Sequence, residues 1–130
     1  MLTELGRGPL IFSLIEVSTA LEEKHFDLSV GDRGFRIRAR GGTAVVRLSN
    51  IKGEVEKATT ASPKPKFWTI PAGTHFESIT GLRIMEDDAM RNGAAIDYAD
   101  IADGTALEQR WYVTSETANT DIELIIIPGT

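Results

Sequence analysis

The chain contains no cysteine. That absence excludes disulfide scaffolds, thiolate zinc sites and cysteine nucleophiles together, while leaving the redox compartment open. Histidine is scarce: His25 and His75 are the only two, far apart, and neither belongs to a His-x-His pair. Positive charge is in short supply, with 14 Lys and Arg against 19 Asp and Glu and a net charge of -5. Nucleic acids and anionic membranes are therefore not the expected partners, because phosphate binding needs clustered cations. No apolar stretch approaches the roughly 20 residues that cross a bilayer. The run Pro9–Ile15 is short, meets Glu16, and lacks the charged lead and small-residue cleavage site of a leader peptide. The expectation is a soluble protein with no cleaved leader. A Gly-x-Ser-x-Gly elbow, an EF-hand loop and a phosphate-binding glycine loop are all missing.

What is present suits one domain. The chain has 130 residues, of which 42% are hydrophobic and 25% charged, a globular balance. Residues 1–9, with Gly6 and Gly8 around Arg7, form an expected N-terminal arm, and 10–130 a single β domain. Leu10–Val17 is a continuous apolar run whose β-branched and aromatic content favours a strand, although a short helix through Leu14–Lys24 is allowed. In His25–Val30, Phe26, Leu28 and Val30 share one face. In Phe35–Ala39, Phe35, Ile37 and Ala39 alternate with Arg36, Arg38 and Arg40. This is the clearest period-2 pattern in the chain, and with Gly31-Asp32-Arg33-Gly34 between the two segments it predicts a hairpin. Thr43–Ser49 follows as a strand with Val46 and Leu48 inward. Glu54–Lys66, which includes Ala61-Ser62-Pro63-Lys64-Pro65-Lys66, is polar and proline-rich and predicts an exposed excursion. Further strands are expected at Phe67–Ile70, His75–Ile79, Leu82–Met85, Thr105–Ser115 and Ile122–Ile127, with a slightly wide turn at Pro71–Thr74 and a long acidic loop at Glu86–Gly104. The last strand is apolar on most of both faces, which suits a central position or an interface. Eight or nine short strands separated by glycine turns predict an all-β fold, an antiparallel sandwich or a jelly-roll-like barrel.

No complete catalytic constellation emerges. The acids Glu86, Asp87, Asp88, Asp97, Asp100 and Asp103 read as a solvated loop, and no cofactor or metal is expected. The segment Pro71-Ala72-Gly73-Thr74-His75-Phe76-Glu77 has the outline of a cupin strand without its histidine pair, so a cupin-like or hydrolytic enzyme ranks last. Arg36, Arg38 and Arg40 put three guanidiniums on one strand face. They either meet an acidic partner or pair with acids on neighbouring strands of the same sheet. Trp68 stands beside the proline-rich segment as a partly exposed aromatic, while Trp111 suits the core. The candidate interaction residues are Leu2, Leu5 and Arg7 of the arm, the three arginines, Trp68, and Ile125 and Ile127 of the last strand.

One resemblance adds to this reading. The Thr43–Ser49 strand, the turn Thr69-Ile70-Pro71-Ala72-Gly73-Thr74, and the ending Trp111-Tyr112-Val113-Thr114-Ser115, Thr117-Ala118-Asn119-Thr120, Ile122-Glu123-Leu124 resemble small β-sandwich structural proteins of tailed bacteriophages. The resemblance covers about the last two-thirds of the chain and carries no motif from which a residue's role transfers. It implies a virion protein on the capsid surface, made in the host cytoplasm. It would be a non-enzymatic decoration or cement protein that bridges subunits of the major capsid protein or other virion proteins, as a homo-oligomer with a trimer favoured. The alternative it leaves open is a receptor- or carbohydrate-binding fibre or tail domain.

Overall fold

A strand with one apolar face needs another surface to cover it, and in this protein two sheets cover each other. The structure is a computed structural model and describes residues 2–29, 32–79 and 109–128, apart from the side chains of Arg7 and Ile79. The described residues form nine strands and no helix: β1 (Leu2–Arg7), β2 (Ile11–Val17), β3 (Lys24–Leu28), β4 (Gly34–Ala39), β5 (Val46–Ser49), β6 (Trp68–Ile70), β7 (Phe76–Ile79), β8 (Gln109–Ser115) and β9 (Thr120–Ile127). A five-stranded sheet runs β1-β2-β9-β4-β7 and a four-stranded sheet runs β3-β8-β5-β6. Every pairing is antiparallel. The fold is an all-β sandwich. The expected strand Leu82–Met85, the loop Glu86–Gly104 and the inward Val30 lie outside the described residues.

The core is the set of inward faces. Ile15 and Val17 of β2, Phe26 and Leu28 of β3, Phe35 and Ile37 of β4, Val46 and Leu48 of β5, Val113 of β8, and Ile122 and Leu124 of β9 are all buried in it. Phe35 is fully buried. Its ring lies 5.0 Å from Phe26, 5.3 Å from Trp111 and 5.8 Å from Phe76, so one aromatic side chain ties the two sheets together. No residue of β1 belongs to this core.

Several expectations are corrected here. The segments around Phe26 and Phe35 do not form a hairpin: β3 pairs with β8, while β4 pairs with β7 and β9 in the other sheet. Alternation shows that both strands have an apolar face, and two such faces can lie side by side or look at each other. Here the Phe26 and Phe35 rings meet edge to face at 70° from opposite sheets, across the core. The helix allowed over Leu14–Lys24 does not form either. Ile15 and Val17 point inward at strand spacing, and Leu21 turns the chain with a φ of 65°. The segment read as an arm lies along β2 as β1, the edge of its sheet. Two glycine turns meet back to back. Gly42 has a φ of 69°, and a Cβ there would stand 3.4 Å from the Cα of Gly73, itself at 79°. The Pro71–Thr74 turn is tighter than expected, closed by Thr74 N–H donating to Pro71 O at 3.1 Å.

The outer face of the four-stranded sheet is polar, and a loop covers part of it. Arg47 projects from β5 onto that face and is 6% exposed. Its guanidinium donates to Glu116 at 2.9 Å, to Val55 O at 3.1 Å and to Lys57 O at 2.8 Å, and lies 4.5 Å from the Phe67 ring centre. Glu54 accepts from Lys66 N–H at 2.9 Å and from the Lys57 ammonium. Val55 and Tyr112 are buried outside the central core. The excursion expected at 54–66 is therefore mostly exposed from Glu56 onward, with Ala61 and Pro65 half-buried, but anchored at Glu54 and Val55.

Arg47→Met should cost roughly 2–4 kcal/mol, because two carbonyls lose their donor at about 1–3 kcal/mol each while the half-exposed Glu116 returns to water. Urea unfolding checks this, with Glu116→Gln expected to cost under about 1 kcal/mol. The Lys57 ammonium, then the Lys66 N–H, hold the Glu54 carboxyl below its usual 4.5. A lowered folded-state value means that this stabilisation is present above the unfolded-state pKa and is lost as pH falls through the folded one. Acid titration of stability should therefore show a decline below the usual value of 4.5 that Glu54→Gln removes.

Candidate interaction face

The outer face of the five-stranded sheet has the opposite character. Directly opposed residues of an antiparallel pair share a face, so the registers write this surface out in rows. One row is Gly6, Phe12, Ile125, Arg36 and Glu77. The next is Thr3, Leu14, Glu123 and Arg38. A third begins Glu16, Asp121 and reaches Arg40, whose N–H donates to Asp121 O at 2.8 Å. Ile127 stands beside Gly34 above the first row. The β1–β2–β9 side is apolar and the β4 side is cationic.

The apolar part is open to solvent. Leu5 is 52% and Phe12 44% exposed, and Leu14, Ile125 and Ile127 are half-buried. A shallow groove of about 270 Å³ runs over Ile125 between Leu5 and Phe12 on one side and Arg36, Arg38 and His75 on the other. The polar sheet face is thus partly covered by the chain's own loop, while the apolar one remains exposed. Exposed apolar surface bordered by charge makes this face the candidate contact site.

The arginine stripe resolves as cross-strand pairing. Arg36 pairs with Glu77, Arg38 with Glu123 at 2.8 Å, and Arg40 with Glu123 at 3.4 Å. The guanidiniums remain about half exposed or more, at 49%, 63% and 52%, but their charge is offset within the sheet. Across the sandwich, Asp27 and Arg110 are directly opposed on β3 and β8 and joined by two hydrogen bonds of 2.7 and 3.0 Å, which hold the guanidinium charged.

The other candidates scatter. A bulge in β1 between Glu4 and Gly6 separates the two arm leucines. Leu5 joins the groove, whereas Leu2 sits opposite Ile15 over a second cleft of about 480 Å³ between the sheets, beside Phe26 and Lys24. Arg7 ends β1 opposite Ile11. Trp68 is 65% exposed on the edge strand β6, with its ring 6.3 Å from Phe76 at the opposite end of the sandwich from β1. His25 and His75 are both exposed. No group of three or more potential metal ligands occurs among the described residues.

Sequence reasoning missed Phe12 and Leu14. In β2 the inward Ser13, Ile15 and Val17 alternate with outward Phe12, Leu14 and Glu16. Because four of these six are large and apolar, the run looked uniform. That uniformity was itself the available signal of a strand that is apolar on both faces.

These features define a β-sandwich with one exposed, apolar and charge-bordered sheet face. No family model matches the chain, and neither does any curated protein or solved structure.

Glu123→Gln should leave stability within about 1 kcal/mol, because the pairs it breaks are largely solvent-exposed. It should also release Arg38 and Arg40, so that the variant elutes from a cation exchanger at higher salt than the parent.

Proposed function

We propose that this chain is a structural protein of a phage virion that acts by adhesion, as a decoration protein bridging coat subunits of the capsid. The observation that carries an adhesive role is the inverted character of the two outer faces. The polar face is partly covered by the 50–66 loop, and the apolar face carrying Leu5, Phe12, Leu14, Ile125 and Ile127 is exposed. Exposed apolar surface is a cost in water that a partner removes. The likeness of the Trp111–Leu124 ending to phage structural proteins directs the proposal towards a virion. The exposed rim of the fold, with the Ala58–Lys66 loop and Trp68, supplies the surface that would reach the coat. Individually weak contacts repeated over a symmetric particle sum to a tight hold.

A second reading, a receptor- or carbohydrate-binding domain, is favoured by one observation, the 65% exposure of Trp68 beside Phe76. Such a ring offers a flat apolar surface on which a sugar can stack.

Co-sedimentation with capsids assembled from the coat protein of the same genome should recover the protein at a fixed ratio to coat subunits and raise the particle's melting temperature. No binding at saturating protein would sink the decoration role. Glycan binding that Trp68→Ala abolishes, without capsid binding, would establish the second reading.

A further inference from the structure

We infer that β1 exchanges between two copies of this chain, each lending its Leu2–Arg7 strand to the β2 edge of the other. The inference concerns how the chain assembles and does not depend on capsid binding.

Little holds β1 to its own chain. Residues 2–6 are all exposed and none enters the core. Among the described strands only β2 pairs with it, and a bulge between Glu4 and Gly6 interrupts that ladder. An exposed terminal strand of this kind belongs to the least stable part of a fold and opens more readily than the core.

The link to β2 adds little to closure. Arg7 and Ile11 are the last opposed pair, so residues 8–10 form a three-residue hairpin loop. Such loops ordinarily close through a residue in the left-handed conformation. Neither Gly8 nor Leu10 is left-handed, and the ring of Pro9 forbids it at the middle position. The chain instead doubles back with Gly8 N–H donating to Leu10 O at 3.1 Å across a single residue. Proline also biases the residue before it towards extended backbone. The local preference of Gly8-Pro9 is to run on rather than reverse. Short links that close against their own preference are those through which strands exchange.

Exchange keeps the β1–β2 ladder seen here and moves it between chains. With the link extended, β1 and β2 of each copy form one long strand, and two such strands pair antiparallel about a two-fold axis at Pro9. Arg7 of one copy then faces Ile11 of the other, and Gly8 faces Leu10, as in the hairpin. Antiparallel pairs alternate between hydrogen-bonded and non-hydrogen-bonded. Gly8 and Leu10 are the bonded pair, so Pro9 falls at a non-bonded position where its missing N–H removes nothing. Charge is compatible with this axis. Its neighbours Gly8, Pro9 and Leu10 are neutral, and the two Arg7 residues stand about 14 Å apart along the strands. The groove over Ile125 and Phe12 becomes a shared site, because the Leu5 that lines it comes from the second copy.

The absence of native cysteine makes the test direct. Thr3 and Leu14 are directly opposed on β1 and β2. Chains carrying Thr3→Cys and chains carrying Leu14→Cys are unfolded together in urea, refolded at high concentration and treated with a short thiol cross-linker. Exchange sets the two thiols opposite each other in different chains. Linked pairs are expected on a denaturing gel in up to about half of the material, the share of mixed pairs when two-fold partners are drawn at random. Either variant alone should give none. Light scattering after size exclusion should give twice the chain mass at high concentration. Inserting a short Gly-Ser stretch after Pro9 should raise the dimer dissociation constant at least about tenfold, by letting β1 fold back on its own chain. The Thr3→Cys/Leu14→Cys double variant should link between chains. A monomer at every concentration, or a double variant that links only within one chain while the mixed single variants stay unlinked, would overturn the exchange.

Discussion

The fold depends on the Phe35 ring. It projects from β4 and touches Phe26 and Trp111 in the opposite sheet and Phe76 on the adjoining strand, at centroid distances of 5.0 to 5.8 Å. A large aromatic at the centre of a sandwich sets the separation of the sheets, because close-packed interiors tolerate neither void nor overlap. β3 and β4 lie in opposite sheets, and their rings meet across the core. The chain therefore changes sheets between β3 and β4, and β9 takes the place beside β4 that a hairpin would have given to β3.

That arrangement makes the two outer faces unequal. The four-stranded sheet turns Arg47, Ser49, Thr114 and the Asp27–Arg110 pair outward, and polar groups of this kind can be covered only if they are hydrogen-bonded. They are: Arg47 binds two loop carbonyls, Ser49 donates to Lys66 O at 2.6 Å, and Thr114 donates to Glu22 O at 2.6 Å. No buried polar side-chain atom among the described residues lacks a partner. The five-stranded sheet turns outward Phe12, Leu14, Ile125 and Ile127 beside arginines whose charge is already offset by Glu77 and Glu123. The same chain therefore attaches its 50–66 loop to one face, while Leu5 and Phe12 stay exposed on the other.

Much of this was legible in the residues. Period-2 alternation at Phe35–Arg40 and the glycine turns point to an all-β sandwich or barrel of eight or nine strands, and the double-sided apolarity of Ile122–Ile127 allowed the central place between β2 and β4 that it takes. The exposure of Trp68 followed from the prolines beside it, which cannot join a central strand. Three decisions were not legible. The arginines carry no mark of whether Glu77 and Glu123 or a partner will meet them, because opposed positions are set by strand order. Leu2 and Leu5 look equivalent until the bulge in β1 sends them to different sides. Arg47 looks like one more surface cation until the loop closes over it.

The sequence by itself determined which residues alternate, where the chain can turn, and that no cysteine chemistry is available, because these follow from side-chain identity and local backbone preference. Only the tertiary structure decided which strands are neighbours, which charges cancel, and which apolar face stays open, because each depends on contacts between residues distant along the chain.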